Sequence, residues 1–132
     1  MSKDPFIIIA EDDADDRLMI QEVLDESAVK INYQFARDGE ILINLLKNNT
    51  IPSLILLDLN MPKIDGRQAL QMIKAESSLQ QIPIVILTTS INQDDKDRCF
   101  KLGADDYIAK PSNYNDMRII ISRLREKWLK NN

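Results

Sequence analysis

The chain contains no histidine. That absence removes the usual general base of a catalytic triad, the commonest zinc ligand and the carrier of a phosphohistidine in one step. The single cysteine, Cys99, excludes an internal disulfide and a thiolate metal cluster, which fits a reducing compartment; a cytoplasmic location is the expectation. Long apolar runs are also missing. Near the start, Phe6 to Ala10 is too short for a signal-peptide core or a membrane span. Excess basic charge is absent as well, the formal net charge being -4, so neither nucleic acid nor a membrane is expected as a partner. No repeat, low-complexity tract or interdomain linker interrupts the chain. What remains is 132 residues with 44% apolar content, read as one domain over 1–132, with its core between about residues 5 and 129 and no further domain after Trp128.

The stretch that organises the chain is Leu54-Ile55-Leu56-Leu57-Asp58, bounded by Pro52 and Pro62. A short apolar run between turn signals reads as a strand buried on both faces, with Asp58 as its last residue. An acid at the carboxyl end of a central parallel strand stands at the rim where open α/β sheets bind ligands. Asp58 can also be read as a simple turn cap.

Phe6 to Ala10 gives a first buried strand that runs into Glu11, Asp12, Asp13, Asp15 and Asp16. From Ala14 to about Ser27 the pattern is helical, with Met19, Ile20, Val23 and Leu24 on one stripe. Asp13, Asp15 and Asp16 then suit a helix N-terminus, whereas Glu11 and Asp12 precede the helix. Ile31 to Ala36 alternates apolar and polar residues, as an edge strand does. Gly39 opens a short helix with Leu42, Leu45 and Leu46 inward, closed by Asn48-Asn49. Asp65-Gly66 opens a third helix with Ala69, Leu70 and Ile73 on one side. Pro83 to Leu87 is a fourth, apolar strand leading into Thr88-Thr89-Ser90. A helix capped near Asn92 runs to about Leu102, with Gly103 as its stop. It contains Cys99, read as a small apolar residue rather than a reactive thiol. Tyr107 to Ala109 is a short strand before Lys110-Pro111. The last helix, Tyr114 to Trp128, buries Met117, Ile120, Ile121, Leu124 and Trp128, carries Arg118, Arg123, Arg125 and Lys127 outward, and leaves Ile119 off the buried stripe.

Five strands alternating with five helices imply an α/β fold: a doubly wound, five-stranded parallel sheet covered on both faces. The alternating second strand and the short fifth suit edges, which gives the flavodoxin-like order 2-1-3-4-5. In that order Glu11, Asp12 and Asp58 meet in one crevice, with Thr88 and Lys110 arriving from neighbouring strand ends. Crowded carboxylates need a cation to stay ionised, and oxygen donors without His or Cys select Mg²⁺ or a similar ion rather than zinc. Asp12 and Asp58 are the expected direct ligands, with Glu11 acting through a water. A carboxylate attacking phosphorus, with Lys110 and Thr88 on the transferring oxygens, fits this set.

The acidic pair Glu11-Asp12, Asp58-Leu59-Asn60-Met61-Pro62 with Asp65-Gly66, Thr88, Gly103-Ala104 and Lys110-Pro111 together resemble the response-regulator receiver domain of two-component signalling over nearly the whole chain. The resemblance implies that Asp58 accepts phosphate from a sensor histidine kinase and that Asn60 gives its backbone carbonyl to Mg²⁺ beside Asp12 and Asp58. It implies that Lys110 contacts the phosphoryl group and that Thr88 and Tyr107 form a switch pair, where Tyr107 otherwise reads as a core or edge aromatic. It also implies that Asn60 and Ser90 occupy positions that help set the hydrolysis rate. Such a domain is no general enzyme; it catalyses only its own phosphorylation and autodephosphorylation. With no output domain, it is expected to act by binding a downstream protein, by homodimerising through the fourth helix, fifth strand and fifth helix, or by passing phosphate onward. The Thr88-Thr89-Ser90-Ile91-Asn92 segment is similar to that of receivers serving phytochrome-type or hybrid kinases, while Ser112 departs from the apolar or aromatic residue common after Lys-Pro. Alternatives are a Mg²⁺-dependent phosphatase with an aspartyl nucleophile, which needs an acid where Asn60 stands, and a receiver-like adaptor that is never phosphorylated. A flavodoxin-like cofactor carrier would need a phosphate-binding loop where the acids stand.

Overall fold

The computed structural model describes residues 5–27, 30–48 and 50–129. The elements in chain order are β1 Phe6–Ala10, α1 Ala14–Asp25, β2 Asn32–Ala36, α2 Gly39–Lys47, β3 Leu54–Leu57, α3 Gly66–Ala75, β4 Ile84–Thr88, α4 Gln93–Leu102, β5 Asp106–Ala109 and α5 Tyr114–Trp128. All strand pairs are parallel and the sheet order is β2-β1-β3-β4-β5, the arrangement expected from the burial pattern of the strands.

Strand alternation divides the apolar residues between two layers. Ile8, Ile55, Leu57, Ile84 and Ile86 face α2, α3 and α4, where Leu42, Leu46, Leu70, Ile73 and Cys99 meet them. Ile7, Ile9, Leu54, Leu56, Val85 and Leu87 face α1 and α5 and pack on Ile20, Leu24, Met117 and Ile121. The three central strands are covered on both sides, which is why their sequences are continuously apolar. β2 is half exposed, as an edge should be.

Several boundaries differ from the sequence reading. β3 ends at Leu57 and Asp58 lies one residue beyond it; the Asp58 N–H still donates to the Ala10 carbonyl at 3.1 Å, so the ladder reaches the site without including it. α1 stops at Asp25 rather than near Ser27. Ile43 is buried in α2, whereas Leu45 is only partly covered. Arg125 does not face outward: its guanidinium donates to the Ser27 hydroxyl at 2.9 Å. Asn49 and the ends of the 1–132 span lie outside the described residues. The caps fall where expected, Asn92 accepting from the N–H groups of Asp94 and Asp95 and Gly103 closing α4 at φ 109°.

One glycine ties the fold to its upper rim. A Cβ on Gly66 would stand 2.2 Å from the Asp58 carbonyl oxygen and 2.6 Å from the Leu59 Cα. Helix α3 can therefore begin this close to the β3 terminus only if its first residue has no side chain. Gly66→Ala is expected to cost about 1–3 kcal/mol, the range for overpacking a filled position, read as a lower urea midpoint; an unchanged midpoint would show that the two backbones separate freely.

Candidate functional site

The carboxyl ends of β1, β3, β4 and β5 converge on one crevice. Its β1 side is the loop Glu11-Asp12-Asp13. Asp13 caps α1 through the Asp16 N–H, and its own N–H donates to Glu11 Oε2 at 3.1 Å. Arg17, one helical turn on, clamps the same loop by donating to the carbonyl oxygens of Glu11 at 3.0 Å and Asp12 at 2.7 Å. The loop's backbone is thus held by its own helix, and Asp12 stays exposed to solvent.

The β3 side is the loop from Asp58 to Asp65. Asp58 Oδ1 accepts from the Asn60 N–H at 3.2 Å, the Gly66 N–H donates to the Leu59 carbonyl, and Leu59 and Met61 are buried beneath. Lys63 turns the chain in a left-handed conformation, φ 69°. Asp65 accepts from the N–H groups of Arg67 and Gln68, and Gln68 returns the bond to Asp65 in a complete capping box.

Lys110 joins the two sides. Its ammonium lies 2.6 Å from Glu11 Oε1, 2.8 Å from Asp16 Oδ2 and 3.0 Å from Asp58 Oδ2, with only 6% of its side chain exposed. Burial works against the lysine charge, but the bonds to Asp16, Glu11 and Asp58 outweigh it and hold the pKa above its ordinary value. Glu11 goes the other way: burial pushes its carboxyl up to about 7, against the opposing pull of Lys110, with the Asp58 charge adding to the rise.

Glu11, Asp12 and Asp58 each present a carboxylate oxygen within 4.8 Å of the others. Asp12 is exposed, so this group opens to solvent on one side. The Lys110 ammonium meets three carboxylates, those of Glu11, Asp16 and Asp58, with Asp12 beside two of them, and a divalent cation would offset the surplus. All of these donors are oxygens, a set suited to a hard cation that keeps some of its water.

Thr88 and Tyr107 stand on the far side of Lys110. The Lys110 N–H donates to the Thr88 carbonyl at 2.8 Å. The buried Thr88 hydroxyl oxygen accepts from the Ser90 N–H at 3.3 Å, which leaves its O–H to donate. The Tyr107 hydroxyl donates to the Ser90 carbonyl at 2.8 Å. Ser90 therefore links the two side chains.

Two features escaped the sequence reading. Asp16, taken as a helix-terminal acid, is a direct partner of Lys110. Arg67, from the first turn of α3, makes a two-pronged pair with Asp95 of α4, both bonds 2.8 Å, and Asp95 also accepts from the Ser90 hydroxyl at 2.9 Å. Arg67 holds the Asp95 carboxyl down at about 2. Neither pair has a local sequence signature, since the partners are 94 and 28 residues apart. Cys99 is fully buried, and burial pushes its thiol pKa up, consistent with the packing role read from the sequence.

The family described as the response regulator receiver domain matches residues 7–122. The chain is similar to the response regulator Rcp1 of Synechocystis, at 37% identity over 93% of this chain and 88% of that protein. It is 31% identical to the probable methanogenesis regulatory protein FilR2 of Methanothrix harundinacea, over 97% of this chain and 86% of the relative. Among solved structures, the phosphorylated cyanobacterial phytochrome response regulator RcpA superposes with a TM-score of 0.91 at 38% identity, covering 97% of this chain and 96% of that one. The Mn²⁺-bound form of Rcp1 gives 0.86 at 36% identity, covering 96% and 95%. No helix among the described residues is long and apolar enough to cross a membrane.

The raised Glu11 pKa gives cation binding a pH dependence. A carboxyl whose folded value is raised favours the fold while protonated and disfavours it once ionised, so the metal-free protein loses this contribution as pH rises toward and past 7. A cation competes with that proton and offsets the ionised form. Saturable Mg²⁺ addition is therefore expected to raise the melting temperature more at pH 8 than at pH 6, read by differential scanning fluorimetry; an equal rise at both would remove Glu11 from the cation site.

Proposed function

As this chain belongs to the response regulator receiver domain family of two-component signalling, we propose that it accepts a phosphoryl group from a sensor histidine kinase on Asp58, with Mg²⁺ as cofactor. The observation that carries this reading is the buried Lys110 ammonium 3.0 Å from an Asp58 carboxylate oxygen at the rim of the sheet. That contact sets a fixed positive charge beside the carboxylate that would become the acyl phosphate.

In the proposed step an Asp58 oxygen attacks phosphorus. The new O–P bond forms as the P–N bond of the donor phosphohistidine breaks, and its electron pair departs with the imidazole. Lys110 stays close enough to donate to an oxygen of the transferred group, and the Thr88 O–H is a second donor. Asp12, Asp58 and the backbone carbonyl of Asn60 would hold Mg²⁺, with Glu11 on one of its waters. Mg²⁺, when bound, supplies neutralisation of the phosphoryl oxygens' charge. Asn60 stands where an aspartyl phosphatase needs an acid, which supports a receiver that turns over only its own phosphate, through autophosphorylation and autodephosphorylation.

Roughly two added negative charges at Asp58 would draw Lys110 and Thr88 toward the phosphoryl group. The Ser90 contacts to Thr88, Tyr107 and Asp95 connect that movement to α4 and β5. The face formed by α4, β5 and α5 is the proposed output, used for a downstream protein, a second copy or onward phosphotransfer. Phe100 of α4 and Ile119 of α5 are exposed, as is Ile91 in the loop before α4. Similarity to RcpA, described as a phytochrome response regulator, supports a phytochrome-type kinase as the donor, and a receiver of this kind works in the cytoplasm.

The test is intact-protein mass after incubation with Mg²⁺ and acetyl phosphate. The wild-type chain is expected to gain one phosphoryl group and Asp58→Asn none. Equal labelling of both would move the acceptor elsewhere, and no labelling of a wild type that binds Mg²⁺ and also fails with phosphorylated kinase would overturn the proposal.

A further inference from the structure

We propose that Asp16 is a positioning residue, holding the Lys110 ammonium in register for phosphoryl transfer to Asp58; this rests on the aspartyl-phosphate reading above. A lysine ammonium has three donors and no acceptor; here it donates to Asp16 at 2.8 Å and Asp58 at 3.0 Å and is ion-paired with Glu11 at 2.6 Å. Two of these partners have other duties. Asp58 is the carboxylate that is phosphorylated, and Glu11 belongs to the oxygen group suited to a cation.

Asp16 stands outside that oxygen group and is set by its helix. Its own N–H donates to the Asp13 cap at 3.0 Å, and α1 is anchored in the core by Ile20, Val23 and Leu24. The side chain therefore projects from a rigid first turn toward Lys110, whose own four-carbon chain is flexible and almost wholly enclosed. When Glu11 and Asp58 turn to a cation and a phosphoryl group, Asp16 still holds one N–H, and a second remains aimed at the oxygens on Asp58.

The experiment compares wild type, Asp16→Ala and Asp16→Asn by two readouts. One is the rate of acetyl-phosphate labelling at saturating Mg²⁺, with Mg²⁺ affinity measured alongside. The other is the ¹⁵N-detected ammonium resonance of Lys110 in the metal-free, unphosphorylated protein, assigned by its loss in Lys110→Arg. Asp16→Ala is expected to label about tenfold more slowly or worse, a loss of the size that misplacement of a reacting group causes, and to lose or shift the Lys110 resonance. Asp16→Asn keeps an acceptor oxygen and is expected to fall between the two. A folded Asp16→Ala that labels at or above the wild-type rate, or leaves the Lys110 resonance unchanged, overturns the proposal alone. Failure of the wild type itself to label overturns the aspartyl-phosphate reading, while the resonance still reports whether Asp16 holds Lys110.

Discussion

The crevice depends on one buried ammonium. Without Lys110, Glu11, Asp16 and Asp58 would stand as unpaired carboxylates at a mostly enclosed rim, and removing one partner of such a buried set is far costlier than never having built it. The lysine also crosses the sheet: it follows β5 at one edge, yet its partners come from the ends of β1 and β3 and from the first turn of α1. Tertiary structure and site electrostatics are thus the same contact. The charge is only partly balanced, and that imbalance gives the group an appetite for further positive charge.

The sheet order makes this convergence possible. Because β1 and β3 are neighbours, the chain leaves them toward opposite faces, and the opening between their ends cannot be filled by a connecting helix. Backbone bonds then fix both loops independently of their carboxylates. Arg17 grips the Glu11 and Asp12 carbonyls, and Gly66 lets α3 press against the Asp58 backbone. On the other side Ser90 receives Tyr107, engages Thr88 and reaches Asp95, so α3, α4 and β5 all meet at the loop after β4. The Ser90 contacts thus tie the end of β4 to β5 and, through Asp95 and Arg67, to α4 and α3.

Much of this was legible in order along the chain. Continuous apolar runs marked β1, β3 and β4 as doubly covered, and the alternation at β2 marked an edge, which together determined the strand order. Asp58 was visible because a charged residue directly ends such a run. Asp16 was not, because an acid in the first turn of a helix satisfies the macrodipole whether it faces water or a lysine 94 residues away. Arg67 and Asp95 look like ordinary surface charges until α3 and α4 are side by side, and Arg125 reads as exposed until the turn after α1 supplies Ser27. Helical spacing reports which stripe is apolar; it carries no information on which polar residue at the stripe's border finds a distant partner.

The most direct test of an aspartyl phosphate held by Lys110 is a crystal structure grown with Mg²⁺ and beryllofluoride, a stable mimic of the phosphoryl group. The expected result is beryllium bonded to an Asp58 carboxylate oxygen, with Lys110 Nζ within hydrogen-bonding distance of a fluoride. An adduct on Asp12, or on Asp58 with Lys110 turned away from it, would contradict the central role given to that contact.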